Sequence, residues 1–142
     1  PGNREKAMNL RYLLCLFALV LCSACMETLN VKNQADKLSV ALDHYAADLR
    51  WGRYREAYGY HVHRDGTKSK VDLEHLEGFS VTSCTPIEPA MNADATEAVV
   101  PIEMKYYNEQ YGTLRTYKET QKWWFNAELK MWLIETDFPD LN

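Results

Sequence analysis

The sequence predicts an α+β domain: N-terminal helices packed in a curved antiparallel sheet, with a signal peptide ahead of them. Three observations predict it. Apolar residues recur at helical period over 31–49, they alternate with polar residues over 97–106, and the stretch after 113 is rich in Thr, Tyr and Trp. With 142 residues, 46% hydrophobic and 25% charged, the composition is that of an ordinary globular chain, and one domain is expected.

Val31, Ala35, Leu38, Leu42, Tyr45 and Leu49 step by three and four along one stripe, while Asp36, Lys37, Asp43 and Asp48 lie off it. Asn30 suits an N-cap, and Trp51-Gly52 ends the helix because glycine accepts the left-handed cap conformation. Arg53–Tyr60 predicts a second short helix with Tyr54, Ala57 and Tyr58 inward, and residues 64–70 a polar loop. Asp72 caps a helical turn up to Gly78. Phe79, Val81 and Ile87 alternate with polar residues until Pro86 and Pro89 interrupt. Ala98, Val100, Ile102, Met104 and Tyr106 share one face of the next strand, opposite Glu97, Glu103 and Lys105. A turn near Tyr111-Gly112, a strand over 113–125, a turn over 126–130 and a last strand over 131–138 complete the chain. In that last strand Trp132, Ile134 and Phe138 share a face, and Pro139 stops it.

The leading residues carry an address. Met8 is a natural initiator, which leaves residues 1–7 outside the native chain. Arg11 supplies a positive charge, residues 12–21 an apolar run, and Cys22-Ser23-Ala24 the small residues before Cys25. The apolar run is short of the ~20 residues a membrane-spanning helix needs. Leu21-Cys22-Ser23-Ala24-Cys25 resembles the lipobox of bacterial lipoproteins, although Cys22 stands where leucine is usual. That resemblance implies cleavage between Ala24 and Cys25 and a diacylglycerol on the Cys25 thiol. Residues 1–24 are then the signal peptide, 25–32 the lipidated cysteine and a tether, and 33–142 the domain. Met26, rather than Asp, follows the cysteine, which implies the outer membrane, periplasmic side. Plain secretion to the periplasm and a retained anchor helix are the alternatives.

Charge and cysteines narrow the field. Residues 25–142 hold 13 Lys and Arg against 19 Asp and Glu, a formal charge of −6. That balance repels phosphate backbones, and no basic stripe is present, so nucleic acid is excluded as a partner. Cys15 and Cys22 leave with the signal peptide and Cys25 becomes a thioether, so Cys84 alone is left and no intramolecular disulfide forms. Its neighbours Ser83 and Thr85 offer neither base nor cation, which predicts a packed rather than a reactive thiol.

Two passages go further. Leu42-Asp43-His44-Tyr45 through Arg50-Trp51-Gly52-Arg53-Tyr54-Arg55-Glu56-Ala57-Tyr58 resembles the opening helices of the nuclear-transport-factor-two-like superfamily. Gln121-Lys122-Trp123-Trp124-Phe125, a turn and Trp132-Leu133-Ile134 resemble the final hairpin of its small bacterial lipoproteins. The resemblance spans about residues 33–139 and implies a cystatin-like cone, a curved sheet wrapped on helices around a pocket. Members include ketosteroid isomerases and dehydratases, and also binding modules with no catalysis, so the fold leaves function open.

The implied pocket would be lined by Tyr45, Tyr58, Tyr106, Tyr117, Trp123 and Trp132. Isomerase-like chemistry needs a carboxylate base facing a tyrosine or a protonated acid. Glu119 and His44 are at hand, but no Asp or Glu stands on a clean apolar face. His61-Val62-His63 places two imidazoles on one side of an extended stretch, and with His44 or His75 they are weak candidates for metal. Two ligands do not close a site, so no metal and no cofactor is expected. Trp123 and Trp124 point to opposite faces of their strand, one into the core. The expected role is a periplasm-facing, lipid-anchored and non-catalytic module that binds a protein partner, or a second copy through its sheet, or a small apolar ligand. A pocket enzyme using acid–base chemistry and a periplasmic metal binder are the alternatives.

Overall fold

Leu38, Leu42, Tyr45 and Leu49 share the buried flank of α1, a helix described over residues 28–50. The structure, a computed structural model, describes residues 28–142; the signal peptide, Ala24 and Cys25 lie outside the described residues. Residues 28–33 are already helical, so Asn30 stands inside the helix and does not cap it. The tether expected up to residue 32 gives way to helix from residue 28. No Gly or Pro interrupts 28–50, and each residue added to a formed helix gains a hydrogen bond.

Residues 34–142 form a compact unit of their own. Helix α1 ends where Gly52 adopts a φ of 67°, with its N–H on Leu49 O and the Arg53 N–H on Asp48 O. Asp48, off the sequence stripe, is buried at this corner, where Arg53 Nη2 lies 2.6 Å from its Oδ1. Helix α2 (Tyr54–Gly59) buries Tyr54 and Ala57, and the Tyr54 hydroxyl donates to Phe79 O at 2.7 Å. Helix α3 (Leu73–Leu76) is capped by Asp72, whose side chain accepts the His75 N–H.

Five antiparallel strands follow: β1 (Phe79–Pro86), β2 (Ala90–Met91), β3 (Glu97–Asn108), β4 (Leu114–Asn126) and β5 (Met131–Ile134). Their order is β1-β3-β4-β5, with β2 pairing β3, and the sheet curls into a half-barrel. On β3 every second residue from Ala98 to Tyr106 is buried. Those five side chains, with Trp123, Trp132 and Ile134 and the apolar flank of α1, make the core. Burying such a side chain stabilises by roughly 1.5–3 kcal/mol.

Two sequence readings need correction. Phe79 and Val81 point inward as expected, but the β1–β3 register shifts between Val81 and Ser83, so the alternation does not carry on to Ile87, which lies beyond the strand and is 51% exposed; Cys84 is buried as expected. The last strand stops at Ile134, not 138. Phe138, Pro139 and Leu141 are buried all the same, because residues 135–142 fold back over the interior. His75 Nε2 donates to Leu141 O, and Tyr106 and Arg115 donate to Asn142 O.

The Gly52 conformation costs an L-residue about 1–2 kcal/mol. A Cβ there would meet no atom within 4 Å, so Gly52→Ala is expected to destabilise through backbone strain alone. Urea unfolding should show a lower midpoint for Gly52→Ala by that amount and a smaller loss for Gly52→Asn.

Candidate functional site

Four inward positions of β4 are Tyr117, Glu119, Gln121 and Trp123, two residues apart. Facing them are Tyr45 of α1 and His61, which follows α2 and bridges to Ile134 of β5. These side chains form one hydrogen-bonded chain whose direction is fixed by its ends. Thr136 O can only accept, so His61 Nδ1 carries a proton and donates to it at 2.8 Å. His61 Nε2 is then an acceptor and takes the Tyr45 hydroxyl proton at 3.0 Å. The Tyr45 oxygen accepts from Gln121 Nε2 at 3.1 Å. The second proton of that amide goes to Glu119 Oε1 at 2.8 Å, and Gln121 Oε1 accepts from Trp123 Nε1 at 3.1 Å. Tyr117 donates to Glu119 Oε2 at 2.9 Å.

Burial sets the protonation of this chain. Tyr45 and Gln121 are fully buried and His61 nearly so. Desolvation pushes the His61 imidazole down to about 4, although its bond to Thr136 O and the charge of Asp137 work the other way. Burial raises the Tyr45 and Tyr117 phenols, helped in both by the Glu119 charge. Burial also raises the Glu119 carboxyl, against the hydrogen bonds from Gln121 and Tyr117. The arrangement is an interior of mutually paired side chains from His61 to Trp123, with one carboxyl at its margin; the Thr136 hydroxyl at its end is buried without a partner.

The candidates named from sequence divide accordingly. Tyr45, Tyr106, Trp123 and Trp132 are buried, and Tyr58 and Tyr117 half-buried. Of five clefts on the described surface, none is lined by Tyr45, Tyr58, Tyr106 or Tyr117; Trp123 borders one and Trp132 another. Tyr58 donates to Ser69 O and packs edge-on to Phe138. His61 and His63 part company. Both His61 nitrogens are engaged in the interior, whereas His63 faces Glu135 and Asp137 at 3.8 and 3.4 Å. Among the described residues no three His, Cys, Asp or Glu side chains are grouped as metal ligands. Trp124, on the outer face, is covered by its own chain: its Nε1 donates to Val62 O, and Arg64 lies over the ring. Cys84 is buried, and desolvation pushes its thiol up to about 11. Glu119, at hand in the sequence as a carboxylate, does face inward, whereas Gln121 was missed because a polar residue at every second position of an exposed-looking strand carries no inward signal.

A cleft of about 350 Å³ lies elsewhere, between the flank of α1 and β5. Val40, Ala41, Tyr60, Met131 and Trp132 give it apolar walls, with Asp36, Lys37, His44 and Lys130 around them.

No protein-family model, curated protein or solved structure matches the chain. No described helix is long and apolar enough to cross a membrane.

Two outcomes are expected. Tyr45→Phe keeps the ring but leaves the Gln121 N–H and His61 Nε2 without partners, at a cost of about 1–3 kcal/mol in urea unfolding. Tyr117→Phe should cost less, since Tyr117 is half-buried. His61 also makes stability depend on pH. Its folded value, about 4, lies below the ordinary imidazole value of 6.5, so the unfolded chain binds more protons between the two. Stability from this group is complete above the upper value and lost as pH falls through the window, on the order of 3 kcal/mol. Glu119, raised on folding, acts in the opposite sense. The slope is therefore to be measured in a Glu119→Gln background, with the His61 ring followed by NMR. A ring that becomes charged near 6.5 would exclude the neutral network.

Proposed function

We propose that the chain is a lipid-anchored module on the periplasmic side of the outer membrane, which binds a protein partner and catalyses no reaction. One observation carries the non-catalytic part. The interior behind β4 is filled by side chains that satisfy one another, and residues 135–142 lie over it, while the most apolar cleft is on the outside. A site that turns over substrate needs a concave space where polar groups converge on a reacting atom. Here the converging groups converge on each other.

The address rests on the order of basic, apolar and small residues ending at Cys25. The helix described from residue 28 lies three residues after that cysteine in the sequence. For the fold, we read the half-barrel sheet over N-terminal helices as the cone of the nuclear-transport-factor-two-like superfamily, used without an open pocket.

One observation favours a second reading, acid–base chemistry: Glu119 has a raised carboxyl and sits 2.9 Å from the Tyr117 hydroxyl. The two readings part on one variant. Glu119→Gln is expected to leave partner recovery unchanged and to raise stability at alkaline pH, where the wild-type carboxylate is charged and partly desolvated. Loss of partner recovery would move the weight to the second reading.

The address is tested in the full chain expressed in a bacterium with an outer membrane. The wild-type protein should fractionate with that membrane and carry a diacylglycerol-modified amino terminus at Cys25 by mass spectrometry. Cys25→Ser should abolish both. Crosslinking from the lipidated form should then recover a partner in stoichiometric amount.

A further inference from the structure

The cleft beside β5 is apolar in its body and charged at its rim, and the two are ordered along α1. Residues four apart on a helix stand one above the other. Asp36, Val40 and His44 make an outer, exposed row, and Lys37 and Ala41 an inner, half-buried one. From Lys37 to His44 the helix rises about 10 Å. Lys37 Nζ lies 5.7 Å from the centre of the Phe125 ring, and Phe125 pairs with Trp132. Lys130 directly precedes Met131, which pairs with Asn126, so both lysines belong to one end of the cleft. His44 and Tyr60 stand at the other end, where Tyr60 packs edge-on against Tyr45. Val40, Ala41 and Met131 supply apolar surface between them. Lys130 has a φ of 54°, a conformation that favours glycine, yet the residue is a lysine whose side chain lines the cleft.

The main chain around this cleft is committed. The backbone groups of residues 36–44 serve the helix, and those of Ile134 serve Tyr60 and Val62. Trp132 is 1% exposed, so the floor presents no open strand edge. A peptide lying here would leave its own N–H and C=O groups without partners, whereas an alkyl chain has none to satisfy. The volume, about 350 Å³, is at the low end of the range for small-molecule sites. Over a length of about 10 Å that is room for one medium-length acyl chain, and not for the two chains of a membrane phospholipid.

Charge selects the head group. The chain is acidic overall, yet of the Lys, Arg, Asp and Glu residues lining this cleft two are basic, Lys37 and Lys130, and Asp36 alone is acidic. Asp36 stands on the outer row, whereas Lys37 stands on the inner one. Two ammonium groups at one end of an apolar cleft on an acidic molecule favour an anion there. We propose that this cleft binds a single-chain carboxylic amphiphile, a medium-chain fatty acid. Its alkyl chain lies along Val40, Ala41 and Met131, and its carboxylate meets Lys37 and Lys130. The site is separate from the paired interior and goes beyond the partner-binding reading, and neither depends on the other.

The test uses the native lipidated chain in nanodiscs of zwitterionic phospholipid, with a decanoate that carries a diazirine in its alkyl chain. Photolysis is expected to label the peptides containing Val40 and Met131, saturably, as read by mass spectrometry. Unlabelled decanoate should compete at least about tenfold better than decyltrimethylammonium, which carries the same chain under a positive head. Val40 is 54% exposed, so Val40→Glu is carried by a folded chain, and it should weaken decanoate binding at least about tenfold. Lys130→Gly suits the positive φ and removes one ammonium. It should keep the urea midpoint and lower affinity for decanoate, but not for decyltrimethylammonium. The double variant Lys37→Glu, Lys130→Glu should reverse the preference between the two. The proposal is overturned by labelling that does not saturate, or by label placed on the other flank of α1 at Ile87 and Met91. Equal competition by the two amphiphiles, or equal labelling by a diazirine-bearing diacyl phospholipid, overturns it as well. Partner recovery and the membrane fractionation of Cys25→Ser read other claims, so they stand or fall separately.

Discussion

Gln121 is the joint of the molecule. Its amide has two protons and one oxygen to place in a dry interior, and each finds a partner from a different direction: Glu119, Tyr45 and Trp123. An amide buried without partners costs several kcal/mol, so once Gln121 faces inward the rest must assemble around it. Tyr45 has to come from α1, His61 from the segment after α2, and Thr136 from the chain leaving β5. The network thus fixes how the helices sit in the curve of the sheet, more narrowly than the apolar contacts around it could. Tyr45, ringed edge-on by Trp123 and Tyr60, belongs to both systems at once.

The same constraint governs what the interior can do. Both nitrogens of His61, the Tyr45 hydroxyl and the whole Gln121 amide are engaged, and the directions run one way, from amide to hydroxyl to imidazole to the Thr136 carbonyl, although the Thr136 hydroxyl beside it is buried without a partner. A ligand entering there would have to break a bond before making one. The apolar cleft lies outside this network, between the flank of α1 and β5.

Much of the architecture was legible in sequence, for a simple reason. The α1 stripe and the β3 alternation each obey one period and one environment, so Leu38, Leu42, Tyr45 and Leu49, and Ala98 through Tyr106, could be placed by counting. Capping by Asp72 and the turn at Gly52 were legible because they are local chemistry. What stayed hidden is non-local. The inward polar run of β4 has the pattern of a solvated face, and only partners 76 and 16 residues apart in the chain, Gln121 with Tyr45 and Tyr45 with His61, reverse that meaning. Phe138 was assigned the right environment by the wrong route, since a folded-back segment buries residues with no period at all. The β1 register shift flips the side-chain parity without leaving a Gly or Pro to announce it.

That irregularity has a consequence for assembly. At the far end of the sheet from β5, Thr82 has no counterpart in β3 and turns its hydroxyl onto Lys105 O, and Pro86 and Pro89 follow within a few residues. Kinks and prolines of this kind deny a flat template to an incoming chain. Among the described residues, the edge opposite β5 is thus a poor seed for the stacked strands from which fibres grow.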